Sequence, residues 1–158
     1  PDSTWTVRRT VDHIADARKL GAYLARHGLV PDLAVVSSAA RTRQTWDMVA
    51  GALTAVPPVK IENSIYDATP EAILQAIKDI GPKAPTLLVI GHNPGLQELA
   101  AMLVATGDVE TRQQLSEGFP TSALAVIEFA FEDWSHLHPN GGRLEHFVAP
   151  RSLQSTTD

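Results

Sequence analysis

Side chains suited to phosphate chemistry follow two apolar, strand-like stretches of the sequence. His92 and Asn93 lie in VIGHNPG, where the asparagine can cap the helix that follows. Arg41 lies in SSAARTRQTW, in the first turn of another helix. A guanidinium can hold two oxygens of a phosphate, and the free amides at a helix start attract anions. The two stretches therefore predict an oxyanion site formed by Arg41, His92 and Asn93.

Each of these assignments has a simpler alternative. A lone histidine after a strand is more often structural than catalytic, and an arginine at a helix start can serve solubility alone. Arg43 competes with Arg41, but it lies two residues farther along the helix and so faces another side. Gly95 lacks a side chain, which would let a ligand approach the backbone. Because two anion-directed stretches at neighbouring strand ends are hard to attribute to chance, the sequence favours the site.

Another histidine, His27, stands in the triplet Arg26-His27-Gly28 at the end of a helical period. Gly28 can supply the left-handed residue that ends a helix, and Pro31 prevents its continuation. A catalytic histidine in an open α/β sheet is expected instead at the carboxyl end of a strand. We therefore interpret the triplet as a helix end, where Arg26 and His27 complement the negative end of the helix dipole.

The hydrophobic periodicity predicts the elements that position these residues. Segments 33–37 and 86–92 are apolar on both faces, as buried parallel strands are. Helices are predicted over 14–27, 39–53, 69–80 and 94–105. Two alternating strands, 123–131 and 143–150, are predicted to form a C-terminal hairpin. The predicted fold is α/β: a single domain over 1–158, built as a three-layer sandwich with a mostly parallel central sheet and an antiparallel C-terminal edge hairpin.

Composition limits the function classes. With 158 residues, 44% of them apolar, the chain can form one domain with a buried core. The formal charge of −5 argues against a dedicated nucleic-acid or membrane-surface binder. No stretch has the pattern of a bilayer span or a signal peptide, so a cytoplasmic protein is expected. The absence of cysteine excludes disulfides, Cys-ligated metals and Cys-nucleophile phosphatases.

Taken together, the motifs resemble those of the histidine phosphatase superfamily, whose fold is phosphoglycerate mutase-like, and most closely its SixA-type phosphohistidine phosphatases. The similarity begins near residue 14 and runs through IADARKLGAYL, VVSSAARTRQTW, IGHNPGLQELA and FPTSALAVIEF. The resemblance implies a pocket of two histidines and two arginines that needs no metal and no cofactor. It assigns Arg41 to clamp phosphate and His92, as the second histidine, to stabilise the phosphoryl group in transfer.

The superfamily's nucleophilic histidine, in an Arg-His-Gly triplet after the first strand, has no counterpart before the helix at Ile14. The triplet at 26–28 follows that helix, and His13 is too close to the helix start to replace it. Either the first strand is absent, or STWTVRRTV forms a degenerate one with Arg8-Arg9-Thr10 at the place of the triplet. The sequence favours an absent strand. Because that strand is central in this fold, some segment must still fill its place.

The remaining polar candidates fit structural roles better than chemical ones. Asp67 could be a general acid near the pocket, but an exposed loop carboxylate is the default. No Gly-x-Ser-x-Gly elbow surrounds Ser37 or Ser38. A metal site is not expected, because the C-terminal histidines fall in a loop and along a strand: His136, His138 and His146.

The function classes that stay open are an enzyme and a binding protein. The enzyme is a metal-independent phosphatase acting on phosphohistidine, in a phosphorylated protein, or on a small phosphomonoester. It requires the nucleophilic histidine of the first strand. The alternative is a catalytically inactive relative that binds phosphorylated partners. In both cases inorganic phosphate or sulfate is expected to occupy the site.

Overall fold

Seven strands form one sheet in the part of the chain that the computed structural model describes, residues 2–7, 14–80, 84–91, 95–116, 124–131 and 133–148. The strands are β1 (Asp2–Val7), β2 (Leu33–Ser37), β3 (Val59–Glu62), β4 (Thr86–Ile90), β5 (Val104–Gly107), β6 (Leu124–Phe129) and β7 (Gly142–Val148). Their spatial order is β3-β2-β4-β1-β6-β7-β5. Among these described strands, only β6 runs against its neighbours, so the sheet is mostly parallel.

The described helices are α1 (Ile14–Arg26), α2 (Ala40–Gly51), α3 (Pro70–Lys78), α4 (Gly95–Leu103) and α5 (Val109–Ser116). The start of α3 follows the predicted chemistry: the Thr69 side chain accepts a hydrogen bond from the Ala72 amide at 3.2 Å, and Pro70 opens the helix. Within the described ranges, no helix combines the length and the apolar character that a bilayer crossing needs.

Alternating strand residues face two separate cores, which gives the molecule three layers. On β4, Leu88 and Ile90 join the core beneath α1 and α2. Leu87 and Val89 of the same strand join the opposite core, which contains residues of α3, α4 and α5. Successive side chains of a strand point to opposite faces, so each apolar strand serves both cores. The predicted α/β sandwich is confirmed.

The central position of the sheet is occupied by β1. Its residues pair in parallel with β4, from Ser3 opposite Thr86 to Val7 opposite Ile90, and antiparallel with β6. This corrects the expectation of an absent first strand: of the two alternatives, the sheet shows a strand formed by the segment STWTV. Arg8-Arg9-Thr10 and His13 lie outside the described residues.

The C-terminal half contains elements that the sequence did not predict. The helix expected over 94–105 ends at Leu103, and the chain continues as β5 and then α5. β6 and β7 pair antiparallel as expected for the hairpin. Because β5 pairs in parallel with the outer side of β7, the hairpin lies one strand inside the edge of the sheet.

Candidate active site

Three parallel strands, β1, β2 and β4, have their carboxyl ends at the same end of the sheet, and the candidate residues follow β2 and β4. Val7 of β1 and Val36 of β2 have the same level as Ile90 of β4 in the pairing register. α2 begins shortly after β2, and α4 shortly after β4. Helix starts at the carboxyl ends of parallel strands surround the crevice in which open α/β sheets bind ligands. The fold thus brings the Arg41 segment to the same end of the sheet as Gly91 and Gly95, the described residues on either side of 92–94.

Arg41 lies in the first turn of α2, and Thr42 connects that turn to the end of β2 by a hydrogen bond. The Thr42 hydroxyl, which is buried, lies 2.7 Å from the carbonyl oxygen of Ser37 and 2.9 Å from that of Ala39, and both are acceptors. The first turn of α2 has no acidic side chain to neutralise the positive end of the helix dipole. The Arg41 side chain is exposed. A fixed backbone therefore carries a guanidinium that a ligand can reach.

Arg43 occupies a different surface, as its position along the helix predicted. It lines a groove between α2 and β3, and Arg41 does not. We call this groove the edge groove; its other lining residues include Trp46, Asp47, Val59 and Ile61. The two arginines of α2 therefore serve different surfaces.

His92 and Asn93, the other predicted site residues, lie outside the described residues, so their contacts stay a prediction. Their place in the chain is bounded on both sides. β4 ends at Ile90 and is followed by buried Gly91, and α4 starts at Gly95. The segment between these points joins the carboxyl end of β4 to the start of a helix.

Gly95 is needed for packing, and its expected role in admitting a ligand stays a prediction. A Cβ atom at this position would collide with the carbonyl oxygen of Ala68 and would lie 3.3 Å from the Ile73 side chain. The start of α4 thus packs directly against the loop between β3 and α3. This contact could not be predicted from the sequence, because the two segments are distant in the chain.

The loop after β3 also contacts the strand end that precedes α2. Ser38 donates a hydrogen bond from its hydroxyl to the Asn63 side-chain oxygen at 2.7 Å. Asp67, the candidate general acid, is exposed and has a φ of 50°, a left-handed conformation that Asp tolerates better than most residues. It precedes Ala68, which contacts the start of α4. Asn63 and Ala68 thus contact the two segments that precede α2 and begin α4, and sequence reasoning missed both contacts.

The triplet Arg26-His27-Gly28 ends α1, as interpreted from the sequence. The amide of Leu29 donates to the carbonyl of Leu24 at 2.8 Å, that of Gly28 donates to Ala25 at 3.4 Å, and Gly28 has a φ of 67°. These bonds form a Schellman motif, in which His27 is the capping residue. The nearby Asp32 amide donates to the carbonyl of Thr86 at the start of β4. The triplet therefore lies at the end of the sheet opposite the candidate site.

His27 belongs to a ring cluster with Tyr23 and His146. The Tyr23 hydroxyl and His146 Nδ1 are 2.7 Å apart, and the rings of His27 and Tyr23 have centroids 4.1 Å apart. Burial lowers the pKa of His146, with a further lowering by the charge of His27 and an opposing effect of Glu145. Burial also raises the pKa of Tyr23. The cluster favours an uncharged His146 near neutral pH.

The other C-terminal histidines are on the surface. His136 is exposed in a short 3-10 helix, and exposed His138 has its Nδ1 2.9 Å from the carbonyl oxygen of Pro139. Over the described ranges, no three histidine, aspartate or glutamate side chains are grouped so that they could hold a metal ion.

Solved structures share this fold. The protein histidine phosphatase SixA complexed with tungstate superposes with a TM-score of 0.74 at 17% identity, covering 96% of this chain and 99% of that one. A protein from Agrobacterium tumefaciens assigned as the phosphohistidine phosphatase SixA gives 0.75 at 24% identity, covering 95% and 99%. A phosphoglycerate mutase from Plasmodium falciparum gives 0.58 at 12% identity, covering 93% of this chain and 91% of the mutase. The chain therefore has the same fold as these SixA-type phosphohistidine phosphatases, as its motifs predicted.

Sequence relatives define a narrower family. The uncharacterized protein Rv1276c of Mycobacterium tuberculosis is 32% identical over 141 residues, which cover 87% of this chain and 85% of the relative. The uncharacterized protein ML1117 of Mycobacterium leprae is 29% identical, with 89% and 92% covered. This chain belongs to the family of Rv1276c. A scan of protein-family models matches none to the chain.

Proposed function

We propose that this protein is a metal-independent phosphatase of the histidine phosphatase type, which acts on phosphohistidine or a small phosphomonoester. One observation carries the proposal. The start of α2, which contains Arg41, follows β2, and the segment bearing His92 follows β4; both strands are parallel to β1 and end level with it. The tungstate in one SixA-type relative supports an oxyanion ligand, because tungstate is tetrahedral like phosphate. On composition, we propose the cytoplasm as its location.

The proposed reaction needs a nucleophilic histidine, which β1 of this chain does not contain and the full protein would have to supply. The nitrogen of that histidine attacks phosphorus, a P–N bond forms, and the bond from phosphorus to the substrate's leaving atom breaks. Water then attacks phosphorus, the enzyme P–N bond breaks, and inorganic phosphate leaves. Arg41 would hold two oxygens of the group with N–H donors, and His92 would stabilise charge that develops during transfer. Asn93 would contribute at the start of α4. Fixed cations and amides supply the stabilisation, so no metal or cofactor is required.

A protein-borne phosphohistidine is our preferred substrate class. Arg41 is exposed at the carboxyl end of the parallel strands, and the described loop after β3 leaves its side chain accessible. An open site can accept a phosphate attached to a macromolecule, whereas an enclosed one would favour small esters.

A second candidate function rests on the sequence of the first strand. β1 contains no histidine, and the residues directly after it are Arg8-Arg9-Thr10. A protein with an oxyanion site but without a nucleophile at this strand end would bind phosphorylated partners without turnover. Both candidates predict phosphate binding that depends on Arg41.

Turnover and trapping of the intermediate distinguish the candidates. The full-length protein is assayed with a phosphohistidine peptide and an aryl phosphate, with and without chelator, and quenched samples are tested for an acid-labile phosphoryl-enzyme. A phosphatase hydrolyses substrate at a rate that chelator leaves unchanged. Phosphate binding without turnover or phosphoryl-enzyme supports the binding protein, and no phosphate binding at all contradicts both.

For the phosphatase, His92→Ala is expected to lower kcat by about a hundredfold or more, because the lost group is directed at charge that develops in the transition state. His27→Gln is the matched control, since His27 caps a helix at the opposite end of the sheet. Steady-state kinetics of both variants check the assignment, and an equal loss in the control would contradict it.

A further inference from the structure

One edge of the sheet is formed by β3, and the segment around it exposes apolar side chains. Large apolar residues that are exposed in the described ranges include Val56 at 65%, Val59 at 42% and Ile61 at 46%, all in or just before this short strand. Val59 and Ile61 line the edge groove beside α2. An exposed strand edge with an apolar face is a surface on which another strand can pair.

The backbone of β3 has a defined set of free groups. The Ala34 amide of β2 donates to the Pro58 carbonyl at 3.0 Å, and Ala34 lies opposite Val59 in the register. In a parallel ladder, the polar groups of alternate residues turn towards the same neighbour. Those of Lys60 therefore turn towards β2. The N–H and C=O groups of Val59 and Ile61 turn towards the free edge, where no described strand pairs with them.

We propose that this edge binds the β3 strand of a second copy of the chain, antiparallel and about a two-fold axis at Ile61. A two-fold interface must be self-complementary, and the charges of β3 meet that condition in this register. Lys60 of each copy lies opposite Glu62 of the other. The same two side chains already form an ion pair of 3.3 Å within one chain, so the dimer would hold four alternating charges on one face.

The alternative registers are less favourable. An axis at Lys60 would set two lysines opposite each other, and an axis at Glu62 would do the same with two glutamates, which destabilises a strand pair. Only residues with the same hydrogen-bonding direction can be opposite each other, so intermediate registers are excluded. With the axis at Ile61, its outward N–H and C=O bond reciprocally to those of its copy. The two Ile61 side chains then meet on the apolar face.

The second copy also covers the edge groove. Val59 and Ile61 would lose their exposure to water, and the groove-lining residues Arg43 and Asp47 carry opposite charges suited to contacts across a two-fold axis. The two sheets would join through paired edge strands. A peptide could use the same free backbone groups, but the self-complementary charge pattern specifically favours an identical strand.

Sedimentation equilibrium of the whole chain over a wide concentration range tests the proposal. We expect a monomer–dimer equilibrium. Lys60→Glu should raise the dimer Kd by about tenfold or more, because glutamates then face each other at two symmetric places. Glu62→Lys should have the same effect. The double variant K60E/E62K restores opposite charges and should return Kd to within about threefold of the original.

Val109→Lys is the matched control, because Val109 is 75% exposed on α5, away from β3. It should leave Kd unchanged, and circular dichroism confirms that each variant is folded. A monomer at every concentration would overturn the proposal, as would a dimer indifferent to the single reversals or not restored by the double one. Binding of an extended peptide along β3 by a monomeric protein would also overturn it.

Discussion

At the scale of single residues, Arg41 and Arg43 are a matched pair on one helix. Arg41 is exposed at the start of α2, whereas Arg43 lines the edge groove. We expect Arg41→Ala to weaken phosphate or vanadate binding by about 1.5 to 3 kcal/mol, the scale of hydrogen bonds to a charged group. Arg43→Ala should leave it nearly unchanged. Calorimetric titration measures both, and equal losses would show that general positive charge, not position, attracts the anion.

The ring cluster of Tyr23, His27 and His146, at the end of the sheet opposite the candidate site, makes stability depend on pH. The folded-state pKa of His146 lies below its ordinary value of 6.5, mainly because of burial. The unfolded chain therefore binds the proton more readily, and stability present above pH 6.5 is lost as the pH falls below it. Urea unfolding across this range should show the loss, and His146→Gln should reduce it. His27→Gln should also reduce it, because the charge of His27 contributes to the lowering.

The sequence allowed local residue roles to be predicted but not distant contacts. Arg41 could be placed because the strand, the helix start and the arginine are adjacent in the chain. The hydrogen bond between Tyr23 and His146 could not be predicted, because 123 residues separate its partners. The same holds for Gly95, whose place follows from the Ala68 carbonyl of a distant loop.

At the scale of elements, the contact between α4 and the loop after β3 can be tested with two glycines. Gly95→Ala should destabilise the fold by about 1 to 3 kcal/mol, because its Cβ meets a backbone carbonyl that cannot rotate away. Gly51→Ala is the control, since a Cβ there meets nothing within 4 Å at the end of α2. It should stabilise by about 0.5 to 1 kcal/mol. Denaturant unfolding measures both changes, and equal effects would contradict the close approach.

The missed elements are those whose pairing outweighs their local pattern. β5 continues an apolar helical period, and its pairing with β7 over a long sequence separation decides its conformation. α5 buries only Leu115 among its residues, so its periodicity is weak. β1 is threonine-rich and lacks the continuous apolar run of β2 and β4, although it lies between two strands. By contrast, β2, β4 and α3 have strong local patterns and were predicted near their observed positions.

At the scale of the whole molecule, β1 connects two differently organised halves of the sheet. On one side, β4, β2 and β3 are all parallel to it. On the other, antiparallel β6 leads to β7 and β5. The candidate site lies at the carboxyl end of β1, so the same strand unites the sheet and completes the crevice. Folding and ligand binding should therefore be lost together when β1 is broken.

A proline in β1 tests this dependence. Thr4 pairs with Leu87 of β4 and with Ile127 of β6, and proline removes a ladder hydrogen bond from the middle of a sheet. We expect Thr4→Pro to cost about 3 kcal/mol or more and to abolish phosphate binding at temperatures where the original chain binds. Thr4→Val keeps the amide and the β-branched shape, so it should retain both properties. Thermal unfolding and phosphate titration check the pair. A Thr4→Pro variant as stable as the original would mean that β1 does not hold the two halves together.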